Sequence, residues 1–177
     1  IKAICLYFSI SFLIAGIVAG FYLDCWDDVL PGLYNIMTLP APLVTDYYQM
    51  GNLSSAFFNA AICGLSCCAF MIFGKCDCQS SCLAGYFLVV AHCFYGLSFF
   101  NMWAPIGGIY VFTRFIKISF RDNLDMAMFS TAFGPFITEL VFRYHVNTAY
   151  EVEAMQISWL GFFYAIAFSL FLGFAIP

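Results

Sequence analysis

Two uncharged apolar stretches decide the fold of this chain. Residues 3–23 read AICLYFSISFLIAGIVAGFYL, and residues 53–74 read LSSAFFNAAICGLSCCAFMIFG. A helix needs roughly 20 apolar residues to cross the hydrocarbon core of a bilayer, and both stretches have that length. Because neither stretch contains a charged residue, each is typical of a transmembrane helix.

The composition of the whole chain indicates the same class. Of its 177 residues, 64% are hydrophobic and only 9% are charged, whereas soluble domains carry about 25% charged residues. The mean hydropathy is +0.92. These values predict an all-α polytopic membrane protein whose main partner is the lipid bilayer. The net charge of −4 offers no basic surface for nucleic acid.

Further apolar runs predict about six transmembrane helices in all. They lie at 3–23, 53–74, 81–100, 102–118, 124–144 and 157–177. Basic residues collect on the cytoplasmic side of membrane proteins. With six spans, one side receives five of the six basic residues, namely Lys2, Lys75, Arg114, Lys117 and Arg121. This distribution predicts a cytoplasmic amino terminus in the plasma (inner) membrane, with segment 24–52 either re-entrant or interfacial.

Both ends of the sequence lie inside apolar runs. We therefore expect residues 1–177 to form a single transmembrane domain that is part of a longer protein. The remainder of that protein, or further copies of the same chain, would then be its protein partners.

Two copies of a Thr–Pro–Thr–acid pattern mark the candidate site. Residues 38–46 read TLPAPLVTD, and residues 131–139 read TAFGPFITE. Positions i, i+4, i+7 and i+8 share one face of a helix. The first motif would thus align Thr38, Pro42, Thr45 and Asp46, and the second would align Thr131, Pro135, Thr138 and Glu139.

Proline adds a second effect to each motif. It lacks an N–H group and its ring clashes with the carbonyl four residues earlier, so Thr38 and Thr131 would each offer a released carbonyl. The two motifs enter the membrane from opposite sides, which predicts an inverted repeat of the kind that binds solute or ion in transporters. Two alternatives remain: the prolines only kink helices, or the acids are ordinary, with Asp46 solvated and Glu139 paired to Arg143.

Other polar residues in apolar runs allow two interpretations each. Asn59 and Asn101 could line a solute path or bond adjacent helices together. Gly107 and Gly108 permit either close helix approach or a broken short helix. Aromatic residues near the ends of the spans are predicted to be interfacial anchors; they include Trp26, Tyr47, Tyr48, Trp103 and Trp159.

The nine cysteines do not indicate a cofactor. Those in apolar runs behave as small hydrophobic residues. Cys76, Cys78 and Cys82 lie in the loop KCDCQSSC, whose spacing fits no standard metal or iron–sulfur site. We expect reduced thiols with no bound metal.

Three stretches resemble a family of multispanning prokaryotic membrane proteins that is catalogued only as a domain of unknown function. They are LVTDYYQMGNLSSAFFNAAICG (43–64), NMWAPIGGIYVFTRF (101–115) and TAFGPFITELVF (131–142). The resemblance implies duplicated halves, of which this chain would be about one, and it implies no chemistry. In layout alone, the spans interleaved with a tilted segment are also similar to urea-transporter-like channels.

The sequence contains no motif of a metalloprotease, a serine hydrolase or a phosphate-binding loop, and we predict no enzymatic activity. The first hypothesis is a transporter or channel for a small polar solute or ion, with the two motifs as its midplane site. The alternative is a non-catalytic membrane subunit or scaffold in which the same motifs only shape helix packing.

Overall fold

The computed structural model describes residues 1–39, 46–76, 78–143 and 159–176. Within this part of the chain, every regular element is helical. The α-helices are α1 (Lys2–Tyr22), α2 (Val29–Thr38), α3 (Tyr47–Met50), α4 (Leu53–Phe73), α5 (Ser80–His92), α6 (Trp103–Phe115), α7 (Leu124–Ser130), α8 (Gly134–Thr138) and α9 (Trp159–Ala175). Short 3-10 turns cover Trp26–Asp28, Phe120–Asn123 and Thr131–Phe133, and Glu139–Arg143 forms a π-helical turn. The predicted all-α class is therefore confirmed.

Helices α1 and α4 are the two described helices that are long and apolar enough to cross a bilayer. Each has 21 residues, and their mean hydropathies are 2.3 and 2.0. They pack against each other along their length, and the Ser54 hydroxyl of α4 donates a hydrogen bond of 2.6 Å to the Gly16 carbonyl of α1. The first two predicted spans are therefore helices, whereas the total of six spans stays a prediction.

Segment 24–52 leaves this pair of helices and returns to the same end of it. Near its start, the Asp24 carboxylate accepts a 2.7 Å hydrogen bond from the Ser54 N–H group in the first turn of α4. At its other end, the Asn52 amide donates to the Asp28 carbonyl over 3.0 Å and accepts from the Ser55 N–H group over 2.7 Å. The two ends of segment 24–52 therefore lie close together, as expected for a segment that does not cross the bilayer.

Basic residues meet at the opposite end of the bundle. Burial raises the pKa of the Cys76 thiol in the α4–α5 loop, and the nearby positive charges of Lys2 and Arg121 act against that rise. Arg121 also lies 3.8 Å from the Asp122 carboxylate. The amino terminus, the α4–α5 loop and the connection before α7 thus share one end, as the charge pattern predicted for Lys2 and Arg121.

The predicted span at 81–100 is wrong in its second half. Helix α5 ends at His92, and a turn over residues 93–102 separates it from α6. Tyr95 and Phe100 of this turn are exposed, whereas Gly96, Leu97, Ser98, Asn101 and others are buried. With 13 residues each, α5 and α6 extend about 20 Å at 1.5 Å per residue. Each is therefore shorter than the roughly 30 Å of a hydrocarbon core.

Over its described residues, 124–143, the predicted span at 124–144 is helical but interrupted. It passes from α7 through a 3-10 turn into α8 and then into the π-helical turn. Helix α6, in contrast, runs without a break through Gly107 and Gly108. Gly108 serves the other predicted purpose, close approach, since a Cβ atom there would overlap the Ser169 carbonyl of α9.

Candidate functional site

The turn at 93–102 is held by Asn59, a fully buried residue of α4. The Asn59 amide nitrogen donates to the carbonyls of Cys93 and Leu97, at 2.9 Å each. Its amide oxygen accepts from the Phe99 N–H group over 3.1 Å. One side chain thus satisfies three backbone groups that a continuous helix would have satisfied itself.

Asn101 serves the same turn from within. Its amide nitrogen donates to the Gly96 carbonyl over 2.9 Å, and its amide oxygen accepts from the Ser98 N–H group over 2.8 Å. The second amide hydrogen goes to the Thr138 hydroxyl on α8, over 2.7 Å. Asn101 therefore joins the break between α5 and α6 to the second Thr–Pro motif.

Local sequence explains why the chain turns here. Gly96 has a φ of 116°, a conformation that residues with a Cβ atom rarely adopt. Two residues later, Ser98 begins a local loop in which its hydroxyl accepts from the Asn101 N–H group over 3.4 Å. Side chains of this kind give the backbone an alternative to helical bonding. The turn ends the predicted span without any proline.

In the second motif, the α-helix is interrupted close to Pro135, as the proline predicted. The Thr131 carbonyl, however, is not released from hydrogen bonding. The 3-10 turn lets the Gly134 N–H group bond to the Thr131 carbonyl, so that carbonyl keeps a partner despite Pro135. The proline itself lies in the first turn of α8, where its missing N–H group costs nothing. The Thr131 hydroxyl donates to the Met128 carbonyl over 2.7 Å. The expectation of a free carbonyl at Thr131 is therefore wrong.

Gly134 brings this motif against the turn. A Cβ atom at Gly134 would lie 2.5 Å from Leu97 Cδ1 and 2.8 Å from Asn101 Oδ1, so a larger residue there would displace these two side chains. Glu139 follows Thr138 at the start of the π-helical turn; it is half-buried, and its Oε1 atom is fully buried. The side chain of Arg143, its proposed ion-pair partner, lies outside the described side chains.

The first motif does not form one helical face. Helix α2 ends at Thr38, whose hydroxyl donates to the Tyr34 carbonyl over 2.7 Å, and Leu39 is extended. Asp46 is exposed and begins α3, accepting a 2.9 Å hydrogen bond from the Tyr48 N–H group. A single helix therefore does not carry both ends of the motif. Pro42 and Thr45 lie outside the described residues.

Tyr47 is the residue by which segment 24–52 reaches the turn. Its side chain is fully buried, and its N–H group donates to the Phe94 carbonyl over 3.4 Å. Its predicted role as an interfacial anchor is therefore wrong, whereas its neighbour Tyr48 remains 39% exposed. Burial is the main cause that raises the pKa of the Tyr47 hydroxyl far above its ordinary value, so the hydroxyl is neutral at physiological pH.

These contacts define a polar cluster, the candidate site. Every member is buried with 0% exposure, and together they are Tyr47, Asn59, Ser98, Asn101 and Thr138. All five side chains are uncharged hydrogen-bonding groups at neutral pH. Such a set can bind and orient a polar molecule through hydrogen bonds.

Metal coordination is not indicated in the part of the chain described. No group of three or more His, Cys, Asp or Glu side chains is arranged there to hold a metal ion. In the loop that follows α4, the Cys76 and Cys78 thiols donate instead to the carbonyls of Phe70 and Cys76, over 3.6 and 3.7 Å.

The sequence pointed to three members of the polar cluster and missed two. Asn59, Asn101 and Thr138 were predicted because polar side chains in apolar runs stand out. Tyr47 was missed because the sequence Tyr-Tyr at 47–48 does not reveal which ring faces inward. Ser98 had one usable signal, the S-x-x-N spacing to Asn101 beside a glycine.

A family model described as "Protein of unknown function (DUF1576)" matches residues 25–176. No curated protein and no solved structure matches the chain. The match covers the whole polar cluster and most of the chain, and the chain belongs to this family. The predicted resemblance to a domain of unknown function is confirmed, while its prokaryotic origin and its duplicated halves stay predictions.

Proposed function

We propose that this chain is an integral membrane transporter or channel for a small polar solute or ion, with the polar cluster as its binding region. Within the described residues, two helical paths are interrupted, one at 93–102 and one at 131–133. In membrane proteins, interrupted helices are tolerated where they are buried in protein or line a cavity. Transporters place their solute sites at such interruptions.

The observation that carries the proposal is the hydrogen bond between Asn101 and Thr138. It joins the two interruptions directly, over 2.7 Å, between two fully buried side chains. A solute site shared by two interrupted helices requires that the interruptions lie together and present polar side chains, and these two do. Glu139, the residue after Thr138, is our candidate for binding a cation or carrying a proton.

A specific observation also favours the second candidate, a non-catalytic membrane subunit or scaffold. The described hydroxyls and the Asp46 carboxylate of the two motifs are all engaged by the protein itself: Thr38 with Tyr34, Asp46 with Tyr48, Thr131 with Met128 and Thr138 with Asn101. Of these four bonds, the one between Asn101 and Thr138 joins separate elements of the chain, and a bond of this kind stabilises helix packing by about 0.6 kcal/mol. The other three are local bonds within a turn. In a scaffold, the polar groups of the two motifs would have no role beyond these bonds.

Transport assays on the chain in liposomes separate the two candidates. Stopped-flow light scattering follows the entry of urea and glycerol, and trapped pyranine reports proton entry. For the wild-type protein, we expect entry of at least one probe above that in protein-free liposomes. Thr138→Val removes the acceptor of Asn101, and we expect it to slow that entry about tenfold, the equivalent of ~1.4 kcal/mol.

Thr131→Val is the matched control, because the Thr131 hydroxyl bonds only within its own turn. It should leave entry within a factor of about two, a change worth less than ~0.5 kcal/mol. Glu139→Gln tests the charge: it should abolish proton entry and spare urea and glycerol. If the wild-type rates for all three probes equal those of empty liposomes, the transporter proposal fails and the scaffold candidate is favoured.

For the orientation, we propose that Lys2 and Arg121 mark the cytoplasmic end and Asp24 the outer end, because basic residues remain inside. Two native cysteines report on this arrangement. Cys25 is exposed beside Asp24, and half-buried Cys78 lies in the α4–α5 loop at the basic end. In intact cells, a membrane-impermeant maleimide should label Cys25 and spare Cys78 until the membrane is opened. Labelling of Cys78 but not Cys25 would reverse the orientation.

A further inference from the structure

The Tyr47 hydroxyl is an exception within the polar cluster. The side chain is 0% exposed, yet its hydroxyl has no hydrogen bond to any described residue. The neighbouring Ser98 hydroxyl acts to lower the pKa of the Tyr47 hydroxyl, but the Tyr47 hydroxyl has no partner at hydrogen-bond distance and angle. A buried hydroxyl without a partner costs free energy, and native proteins retain few of them. A guest molecule with hydrogen-bonding groups would supply the missing partner.

The amide groups around it are already engaged, since Asn59 and Asn101 each use both the nitrogen and the oxygen of the amide. Ser98 accepts from the Asn101 N–H group and Thr138 accepts from the Asn101 amide, which leaves the O–H group of each available to donate. The Tyr47 hydroxyl and its neighbour Ser98 are thus open to a guest, and the Thr138 O–H group lies one contact further along the cluster.

The surroundings of the Tyr47 hydroxyl set the charge of that guest. The side chains that influence it are Cys93, Cys63 and Ser98, which are two thiols and a hydroxyl. Asp46, the nearest acid in sequence, is exposed and bonded to the Tyr48 N–H group. A buried ion without an opposite charge is strongly disfavoured. An uncharged guest avoids this cost.

From these contacts we propose that the Tyr47 and Ser98 hydroxyls bind a small uncharged solute that both donates and accepts hydrogen bonds, such as an amide, a urea or a polyol. This inference rests on the proposed function and narrows its solute from "polar solute or ion" to a neutral one. Ser98 contacts Asn101, which contacts Thr138. The solute therefore lies beside the point where the two interruptions meet.

Tyr47→Phe tests the inference, since it keeps the ring and removes only the hydroxyl. In the liposome assay with urea and glycerol as probes, we expect about a tenfold slower entry of the probe that the wild type admits, the effect of one lost hydrogen bond. The thermal midpoint should stay equal or rise, because the variant loses a buried hydroxyl that had no protein partner. Slower entry with an undiminished thermal midpoint is not the signature of damaged packing.

Two further tyrosines give matched controls. Tyr48→Phe changes the exposed neighbour and should alter neither entry nor thermal midpoint. Tyr86→Phe removes a buried hydroxyl that does have a partner, Ser9 at 2.7 Å, and should lower the thermal midpoint without slowing entry selectively. Together they separate loss of a binding group from loss of a tyrosine hydroxyl in general.

The outcomes distinguish the inference from the function beneath it. If the wild type admits urea or glycerol and Tyr47→Phe admits it equally fast, the hydroxyl binds no solute and the inference is overturned while the transporter proposal stands. If the wild type admits protons but neither neutral probe, the neutral class is overturned. If the wild type admits no probe, the transporter proposal and this inference fall together.

Discussion

The α1–α4 pair and the part of the chain from α5 to α8 differ in how their buried backbone N–H and C=O groups find hydrogen-bond partners. In α1 and α4, 21 residues each, the backbone bonds run within the helix. The backbone of these two helices therefore needs no side-chain partners, and a bond such as that from Ser54 to the Gly16 carbonyl joins one helix to the other. Between α5 and α8, the turn at 93–102 and the 3-10 turn at 131–133 interrupt the α-helical bonds, and at 93–102 side chains replace them.

The difference shows what buried asparagines do in this protein. Between them, Asn59 and Asn101 satisfy five backbone groups of the turn at 93–102: the carbonyls of Cys93, Gly96 and Leu97 and the N–H groups of Ser98 and Phe99. Asn59 belongs to the regular α4, so the continuous part supports the interrupted part. The turn at 93–102 is therefore stabilised by specific side chains, and it depends on very few of them.

The largest effect should follow from Asn59→Leu. Leucine fits an apolar helix but leaves the Cys93 and Leu97 carbonyls and the Phe99 N–H group without partners. At about 1–3 kcal/mol for each buried group, we expect a loss of about 3 kcal/mol or more in the free energy of unfolding. Thermal or denaturant unfolding in detergent micelles, compared with the wild type, measures it.

Ser66→Ala is the control on the same helix. The Ser66 hydroxyl bonds only to the Ile62 carbonyl one turn earlier, so its loss should cost less than about 0.5 kcal/mol. Equal losses for the two variants would mean that the turn does not depend on Asn59. The proposed contrast between the continuous and the interrupted parts would then be wrong.

Sequence patterns located the continuous helices well, because length and apolar composition alone specify them. The predicted spans at 3–23 and 53–74 agree with α1 and α4 to within one residue at either end. The span at 81–100 failed since its turn contains no proline and remains apolar. What ends α5 is Gly96 together with amide bonds from distant Asn59, and single-sequence periodicity does not record distant partners.

The candidate site shows the same limit. The pattern T-x-x-x-P-x-x-T-acid correctly marked a break at 131–135, because proline acts locally. It also predicted a freed carbonyl, which the 3-10 turn instead pairs with the Gly134 N–H group. Applied to 38–46, it failed to foresee that α2 ends at Thr38. The meeting of Asn101 with Thr138, 37 residues apart, arises only from tertiary packing.

A smaller and more selective effect is expected at the α6–α9 crossing, where two adjacent glycines form a matched pair. At Gly108 a Cβ atom would overlap the Ser169 carbonyl and lie 3.4 Å from the Gly173 N atom, whereas at Gly107 it would meet nothing within 4 Å. Gly107 instead borders an apolar pocket of about 430 Å³ between α6 and α9. The two positions therefore share a helix and differ in their surroundings.

We expect Gly108→Ala to lower the free energy of unfolding by about 1–3 kcal/mol, the usual cost of an overpacked contact. Gly107→Ala should be neutral or raise it by up to ~1 kcal/mol, since alanine favours a helix over glycine. Both are measured by unfolding in detergent micelles, beside Asn59→Leu. If Gly107→Ala were as damaging as Gly108→Ala, the sensitive feature would be the flexibility of α6. Close contact with α9 would then not be the cause of the loss at Gly108.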